Sequence, residues 1–459
     1  MTQQVPETPE VDCDVVVLGL GPGGEHAAIK LARAGLDVIG IEDRLVGGEC
    51  PYYGCVPSKM MIAAAHVIAD VHKVARFGGT AHVDPDWGAV ARRIRDEATD
   101  DWDDAVAVKR LEDNGARFVR GRGVLVGPGQ VRVGGTTYAA RKGVVLNTGT
   151  DPAAPPVEGL AGTPYWTNRD AVALTELPRS LVVLGGGPIG CEFAQVFARY
   201  GVEVTVVEVA DRLIAVEEPE ASALLEKAFA DEGITVLTGA SVSSVRHDES
   251  GFTLRVDQRD VVADKLLVAA GRQANLDHIG LDTVGLGEGL KVVETDERMR
   301  AGDKLWAVGD ITGKGAYTHV SMYQAAVAVR DILGEDGPWA DYRAVPHVTF
   351  TAPEIASVGL SEKAARDQGI DVAIGTGDLG ARGWLAKEEG MIKLVADRER
   401  GVLVGGCVVS EAGGEIASFL EVAVHAEIPV ATLLTMHFAY PTYHRALEHA
   451  LKDIDLGSS

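Results

Sequence analysis

Between Val15 and Glu42 three patterns of apolar and polar positions follow one another. VVVL, Val15 to Leu18, is continuous, apolar and largely β-branched, as a strand buried on both faces of a parallel sheet should be. GLGPGG follows, with Gly19, Gly21 and Gly24 in G-x-G-x-x-G spacing. EHAAIKLARAGL then places apolar residues at helical intervals up to Gly35, and DVIGIE is a second apolar run ending on an acid, Glu42. The same succession returns at LVVLGGGPIGCEFAQVFARYGVEVTVVE, with Gly185, Gly187, Gly190 and the acid Glu208. First glycine to acid is 23 residues in both copies. Strand, glycine turn, helix and strand, written twice, predict an α/β chain with two parallel-sheet units.

Each part has a mechanical task in holding a dinucleotide. Gly19 and Gly185 permit the tight turn, Gly21 and Gly187 let a pyrophosphate approach the backbone, and Gly24 and Gly190 let helix and strand pack closely. The helix N-terminus offers unpaired N–H groups and a positive dipole end to phosphate. The terminal acid accepts hydrogen bonds from ribose hydroxyls. One glycine motif alone is weak; two complete copies point to two dinucleotides exchanging electrons. Glu208 suits a free 2′-hydroxyl and repels a 2′-phosphate, and VADR after it brings Arg212 but no basic cluster, so NADH is expected over NADPH.

GGECPYYGCVPSK holds two of the five cysteines, Cys50 and Cys55. A helical pattern begins just after them, with Pro57 and Ser58 as good first-turn residues. A thiol at a helix N-terminus is stabilised as thiolate, and Lys59 adds positive charge nearby. Zinc ligation does not fit: there is no second cysteine pair, and His66 and His72 lack ligand spacing. A redox pair is the favoured reading. Cys13 and Cys407 lie in apolar runs and Cys191 on a helix, all three as core residues. The formal net charge of −24 argues against nucleic acid or an anionic membrane surface as partner. No apolar run reaches the roughly eighteen residues that span a bilayer. The polar, acidic N-terminus is not a signal peptide, and the few, odd-numbered cysteines suit a cytoplasmic protein.

In this order the motifs resemble those of the class I flavoprotein disulfide reductases, the pyridine nucleotide-disulfide oxidoreductase family, of the dihydrolipoamide dehydrogenase and mercuric reductase type. GLGPGG with Glu42 resembles the FAD motif and GGECPYYGCVPSK the redox-disulfide stretch. VVLNTGTDP, with Gly149, resembles a strand and turn that usually reads A-T-G, with Asn147 in place of the alanine. GGGPIGCE with Glu208 resembles the NAD motif. LLVAAGRQAN, with Gly271 and Arg272, resembles the return strand to the FAD domain. LWAVGDIT, with Gly309 and Asp310, resembles the second FAD motif, where Asp310 would bond the ribityl chain. The resemblance implies that Cys50 exchanges with substrate, that Cys55 sits beside the flavin, and that Lys59 pairs with Glu192 near the flavin's reacting edge. It also implies a homodimer whose active sites borrow residues from the partner.

Near the C-terminus the pattern breaks. The family's His-Pro-Thr and following acid become Tyr440-Pro441-Thr442 and Arg445 within HFAYPTYHRALEHAL. Tyrosine, with a pKa of about 10, is a poor base at neutral pH. Three readings follow. His444, four residues on and so on the same helix face as Tyr440, replaces the base with Glu448 orienting it; or the disulfide works without this base, on a metal ion or a readily ionised thiol; or electrons leave directly from the flavin to a quinone or another nicotinamide. The acceptor is thus a small-molecule disulfide, quinone or metal.

The motif order divides the chain into residues 1–150 and 272–340 as an FAD domain, 151–271 as an inserted NAD domain, and 341–459 as a C-terminal α+β dimerisation domain. Both nucleotide domains are expected to be Rossmann-like. The implied relay runs from NADH to FAD, to the Cys50–Cys55 disulfide and on to the acceptor.

Overall fold

The computed structural model describes residues 10–457; the acidic N-terminal stretch begins outside them. The chain folds as two compact units. One combines the residues up to Pro57 with Arg93–Asp151 and Arg272–Asp341. The other combines Ser58–Arg92, Pro152–Gly271 and the chain from Tyr342 onward.

The first unit is built on an eight-stranded sheet. At its centre β1 (Glu10–Leu18) lies parallel to β2 (Val38–Glu42) on one side and β3 (Thr136–Leu146) on the other, with Leu18 level with Ile41 and Leu146. Arg117–Arg120 and Leu305–Ala307 extend the parallel order outward. The uninterrupted apolar run of β1 is explained by burial on both faces. Val15 and Val17 pack with Ala27, Ala28 and Leu31 of α1 (Pro22–Arg33) and with Ala325 and Ala328 of the helix Thr318–Leu333. Val16 and Leu18 face a separate cluster with Ile39, Leu125 and Leu276. Pro22 starts α1 with a preset φ where no intrahelical donor is needed. After a four-residue helical turn at Glu49–Tyr52, α2 (Cys55–Phe77) begins on the second cysteine.

The second unit repeats the design in a four-stranded parallel sheet. β4 (Ser180–Leu184) lies between β5 (Glu203–Val207) and β6 (Lys265–Val268), and α3 (Pro188–Arg199) follows the glycine turn. A three-stranded antiparallel sheet, Val242–Asp248, Gly251–Val256 and Arg259–Ala263, is attached in sequence. The C-terminal part is a five-stranded antiparallel sheet whose core takes in Leu420 and Ala423 of helix Gly413–His425 and Leu447 and Leu451 of helix Ala446–Asp453. Parallel halves plus this α+β part are the predicted fold class.

Residues 58–92 group with the second unit, where Lys59, Lys73 and the Trp87 indole hydrogen-bond to Glu192, Glu411 and the Leu174 carbonyl. By length and mean hydropathy the stretch Glu49–Phe77 also qualifies as a candidate membrane span, which scanning for unbroken apolar runs missed. Its buried residues Met61, Ile62, Ala65 and Ile68 recur on one face while Val67 and Asp70 are exposed. That one-sided pattern belongs to a helix packed on a protein core, not to one apolar all round.

Candidate active site: two dinucleotide cradles and a cysteine-bearing helix

The two glycine turns are built bond for bond alike. Gly19 N–H donates to the Ile41 carbonyl and Gly185 N–H to that of Val207, both at 2.9 Å. The acid closes each loop. Glu42 accepts from the N–H groups of Leu20 (2.7 Å) and Arg44 (2.9 Å), Glu208 from those of Gly186 (2.5 Å) and Ala210 (2.7 Å). Each carboxylate oxygen keeps a further lone pair for a ribose hydroxyl. Burial pushes the Glu42 carboxyl above its ordinary range while the two N–H groups oppose the shift. A Cβ on Gly24 would meet the Gly19 carbonyl oxygen at 2.0 Å, and one on Gly190 the Gly185 oxygen at the same distance. Close packing of helix on turn therefore demands glycine at both.

The cysteine stretch lies beyond the first cradle. Cys50 is half-buried in the turn Glu49–Tyr52, and Cys55 is exposed as the first residue of α2. Cys55 Sγ is 3.5 Å from Thr318 Oγ1, at the first residue of another long helix. In the same unit Asp310 accepts from the Thr150 hydroxyl at 2.7 Å, and Arg272 holds Thr150 through both its hydroxyl and its carbonyl at 2.7 Å. Gly149, Gly271 and Gly309 all have positive φ, which places glycine at the turns after their strands. Cys13, Cys191 and Cys407 are buried; burial pushes the Cys13 thiol up to about 11 and that of Cys407 to about 12. Such thiols stay protonated and inert at neutral pH.

In the second unit Lys59 Nζ donates to Glu192 Oε2 at 2.7 Å. Glu192, only 7% exposed, also accepts from the Phe350 N–H at 2.9 Å, and Lys59 Nζ sits 4.7 Å from the Phe350 ring centre. Neither Phe350 nor Thr318 stands out as a site residue in the sequence: Thr318 lies 263 residues beyond Cys55, and Phe350 sits in HVTFTAPEIASVGLSE, which resembles the opening of the dimerisation domain.

The C-terminal stretch differs from expectation. Tyr440 is 70% exposed and lies in a turn before the helix, with the Arg445 guanidinium 5.7 Å from its ring centre. Helical structure begins only at Tyr443, after Thr442, whose hydroxyl accepts from the Arg445 N–H at 3.2 Å. Tyr440 and His444 therefore share no helix face. The expected His444–Glu448 couple is replaced as well. The His444 ring packs on Phe438 at 5.0 Å and Phe419 at 5.8 Å, while Glu448 faces Arg445 at 3.1 Å and Lys452 at 2.7 Å.

Known proteins fit this geometry along nearly the whole chain. A family profile described as pyridine nucleotide-disulphide oxidoreductase matches residues 13–331, and the dimerisation domain of the same family matches residues 345–451. The chain belongs to this family. Dihydrolipoyl dehydrogenase from Chlamydia muridarum is 33% identical over 96% of this chain and 97% of its own. That of Halobacterium salinarum is 33% identical over 95% and 96%. Among solved structures, LpdA from Mycobacterium tuberculosis is 27% identical with a TM-score of 0.84, covering 96% of this chain and 99% of that one. The Cu(II) complex of the HOCl-induced flavoprotein disulfide reductase RclA from Escherichia coli is 25% identical with a TM-score of 0.83, at the same coverage.

As a pyridine nucleotide-disulfide oxidoreductase of dihydrolipoamide dehydrogenase type, the protein is an FAD- and NAD(P)-dependent enzyme. The residues present fit the flavin dinucleotide. A cavity of about 400 Å³, lined by Gly19, Glu42, Arg44, Thr148 and Asn275 among others, opens beside the first acid. The N-cap residue Gly21 brings no side chain to the start of α1, so a phosphate can approach the turn there, while the Gly24 N–H is taken by Asn147 Oδ1.

Proposed function

We propose that the enzyme takes electrons from NADH and delivers them through FAD and the Cys50–Cys55 pair to a small-molecule disulfide. When bound, FAD supplies the two-electron chemistry that links a nicotinamide to a pair of thiols. The chain's own residues do the rest. Glu42 and the Gly19–Gly24 turn hold the flavin dinucleotide, with Asp310 kept in place by Thr150 and Arg272. Lys59, fixed by Glu192, supplies a positive charge. Once the pair is reduced, the Cys50 thiolate attacks one sulfur of the acceptor disulfide and expels the other as a thiol. Cys55 then attacks the mixed disulfide, the second thiol leaves, and Cys50–Cys55 is restored. One NADH and one proton yield NAD⁺ and two thiols.

The observation that carries this reading is Cys55 as the exposed first residue of α2, beside the Thr318 hydroxyl and five residues after Cys50. A helix N-terminus and a hydroxyl donor both favour thiolate. NADH preference is supported by Glu208 and by Arg212, whose guanidinium is engaged by the Ala215 and Glu217 carbonyls and is not poised for a 2′-phosphate. The dimerisation domain supports a homodimer, and cytoplasmic residence completes the proposal.

The deciding experiment is an anaerobic NADH titration of the yellow protein. Disulfide reduction gives a long-wavelength thiolate-to-flavin band that is absent in Cys55→Ser. Direct bleaching of the flavin without such a band would overturn the reading. Tyr440 and Arg445 in place of base and acid favour a second reading, direct transfer from the flavin to a quinone. It requires that quinone reduction survive Cys50→Ser and Cys55→Ser. Copper salts belong among the acceptors assayed, since RclA was solved as a Cu(II) complex.

A further inference from the structure

Behind the first glycine turn stands Asn147, the residue after β3, 6% exposed. Its amide makes three bonds. Oδ1 accepts from the Gly24 N–H at 2.8 Å; Nδ2 donates to the Val308 carbonyl at 3.0 Å and to Ser321 Oγ at 3.3 Å. Only one orientation of the amide works, because the Val308 carbonyl can only accept. The bonds tie together the turn of β1–α1, the strand leading into Gly309 and Asp310, and the helix Thr318–Leu333. Gln324 of that helix adds a fourth tie, accepting from the Gly309 N–H at 2.7 Å. A Cβ on Gly23 would meet Ser321 Oγ at 2.3 Å, so α1 and that helix are in close contact.

The second cradle has the same backbone and none of these side-chain ties. A Cβ on Gly19 would meet the carbonyl of Asn147, and a Cβ on Gly185 would meet that of Ala269, which makes Ala269 the counterpart of Asn147. The two N–H groups also match, Asn147 donating to Leu18 and Ala269 to Leu184, both at 2.8 Å. An alanine methyl cannot hydrogen-bond. The counterpart of Gly23 is Ile189, which is exposed. A Cβ on Gly187 would meet nothing within 4 Å, whereas one on Gly21 would meet Asn147 Oδ1 at 3.1 Å.

We propose that Asn147 is a positioning residue that retains the flavin dinucleotide. It holds the phosphate-facing turn and the Gly309–Asp310 segment in one arrangement, so that the cofactor stays bound while the nicotinamide at the other cradle comes and goes. Preorganisation lowers the ordering cost of binding and slows release. The inference rests on FAD occupying the first cradle, and that premise has its own check: wild-type protein that neither carries nor takes up FAD would defeat the premise before any variant is made.

The test uses holoenzyme carrying Asn147→Ala. FAD release after dilution is followed by the recovery of flavin fluorescence, and NADH affinity is measured on the same protein. Loss of a buried hydrogen-bonded amide should speed FAD release roughly tenfold. NADH affinity should stay within about twofold, as for an independent site. Asn147→Asp keeps an acceptor for Gly24 but sets a carboxylate against the Val308 carbonyl, and should also release FAD faster. Unchanged FAD release, or parallel weakening of FAD and NADH, would overturn the proposal. If Asn147→Ala does not fold, Ser321→Ala removes one partner alone; release about two- to threefold faster supports the latch and unchanged release refutes it.

Discussion

In the first cradle the third parallel strand is followed by Asn147; in the second it is followed by Ala269, at the same place relative to the glycine turn. The cradle itself is duplicated: the turn, the acid with its two backbone donors, and the glycine under the helix. What differs lies behind the turn. The first is tied by the Asn147 and Gln324 side chains to Gly24, Val308, Ser321 and Gly309; at the second, the Ala269 methyl makes no such bond and the side-chain tie is instead the Cys191 thiol donating to the Gly186 carbonyl within the turn. On the proposal above, binding a dinucleotide and keeping one are separate properties of this chain, set by different layers of residues.

The strongest way to break the symmetry is to fill one helix-packing glycine at a time. Each new Cβ would lie 2.0 Å from a carbonyl oxygen. Gly24→Ala should purify colourless, while Gly190→Ala should purify yellow but need roughly a hundredfold more NADH for flavin reduction. Absorbance at purification and a reductive titration check both.

Next comes the helix position where the first copy has His26 and the second has Glu192. Lys59→Met leaves the Glu192 carboxylate buried with only the Phe350 N–H. Stopped-flow reduction by NADH should slow about tenfold with little change in FAD content, since one partner of a largely buried pair is lost. A rate equal to wild type would remove Lys59 from the proposed chemistry. The acids sharpen the comparison further. Glu208→Gln should narrow the preference for NADH over NADPH by about tenfold without altering FAD release, and Glu42→Gln should do the reverse, weakening FAD alone. Smallest is Thr318→Val, which removes the hydroxyl 3.5 Å from Cys55. The long-wavelength band at fixed pH should weaken by about a factor of two to three, with FAD retention unchanged.

Much of this was legible because the cradle is local. Glycines, strand and acid fall within 23 residues, and their backbone geometry follows from residue type. The substitution at Asn147 was visible too, but not its purpose, since Gly24, Val308 and Ser321 lie between 123 and 174 residues away in sequence. Phe350 is hidden for the same reason, meeting Glu192 across 158 residues. The C-terminal misreading had a local cue. Pro441-Thr442 is a helix-start signal, Thr442 caps through its hydroxyl, and Tyr440 is therefore outside the helix. Assuming helical spacing through a proline placed His444 on a face that does not exist.

The interleaving of the two units also sets an order of assembly on the ribosome. Every segment of the flavin-binding unit has been synthesised once Asp341 is made, whereas the other unit waits for the segment beginning at Tyr342. That late segment contains Phe350, the backbone donor to Glu192. A nascent chain can thus complete its first cradle while Glu192 still lacks the Phe350 N–H, and the surroundings of Lys59 are the last to be finished. Neither unit is a contiguous stretch of the gene, so no single truncation isolates one from the other.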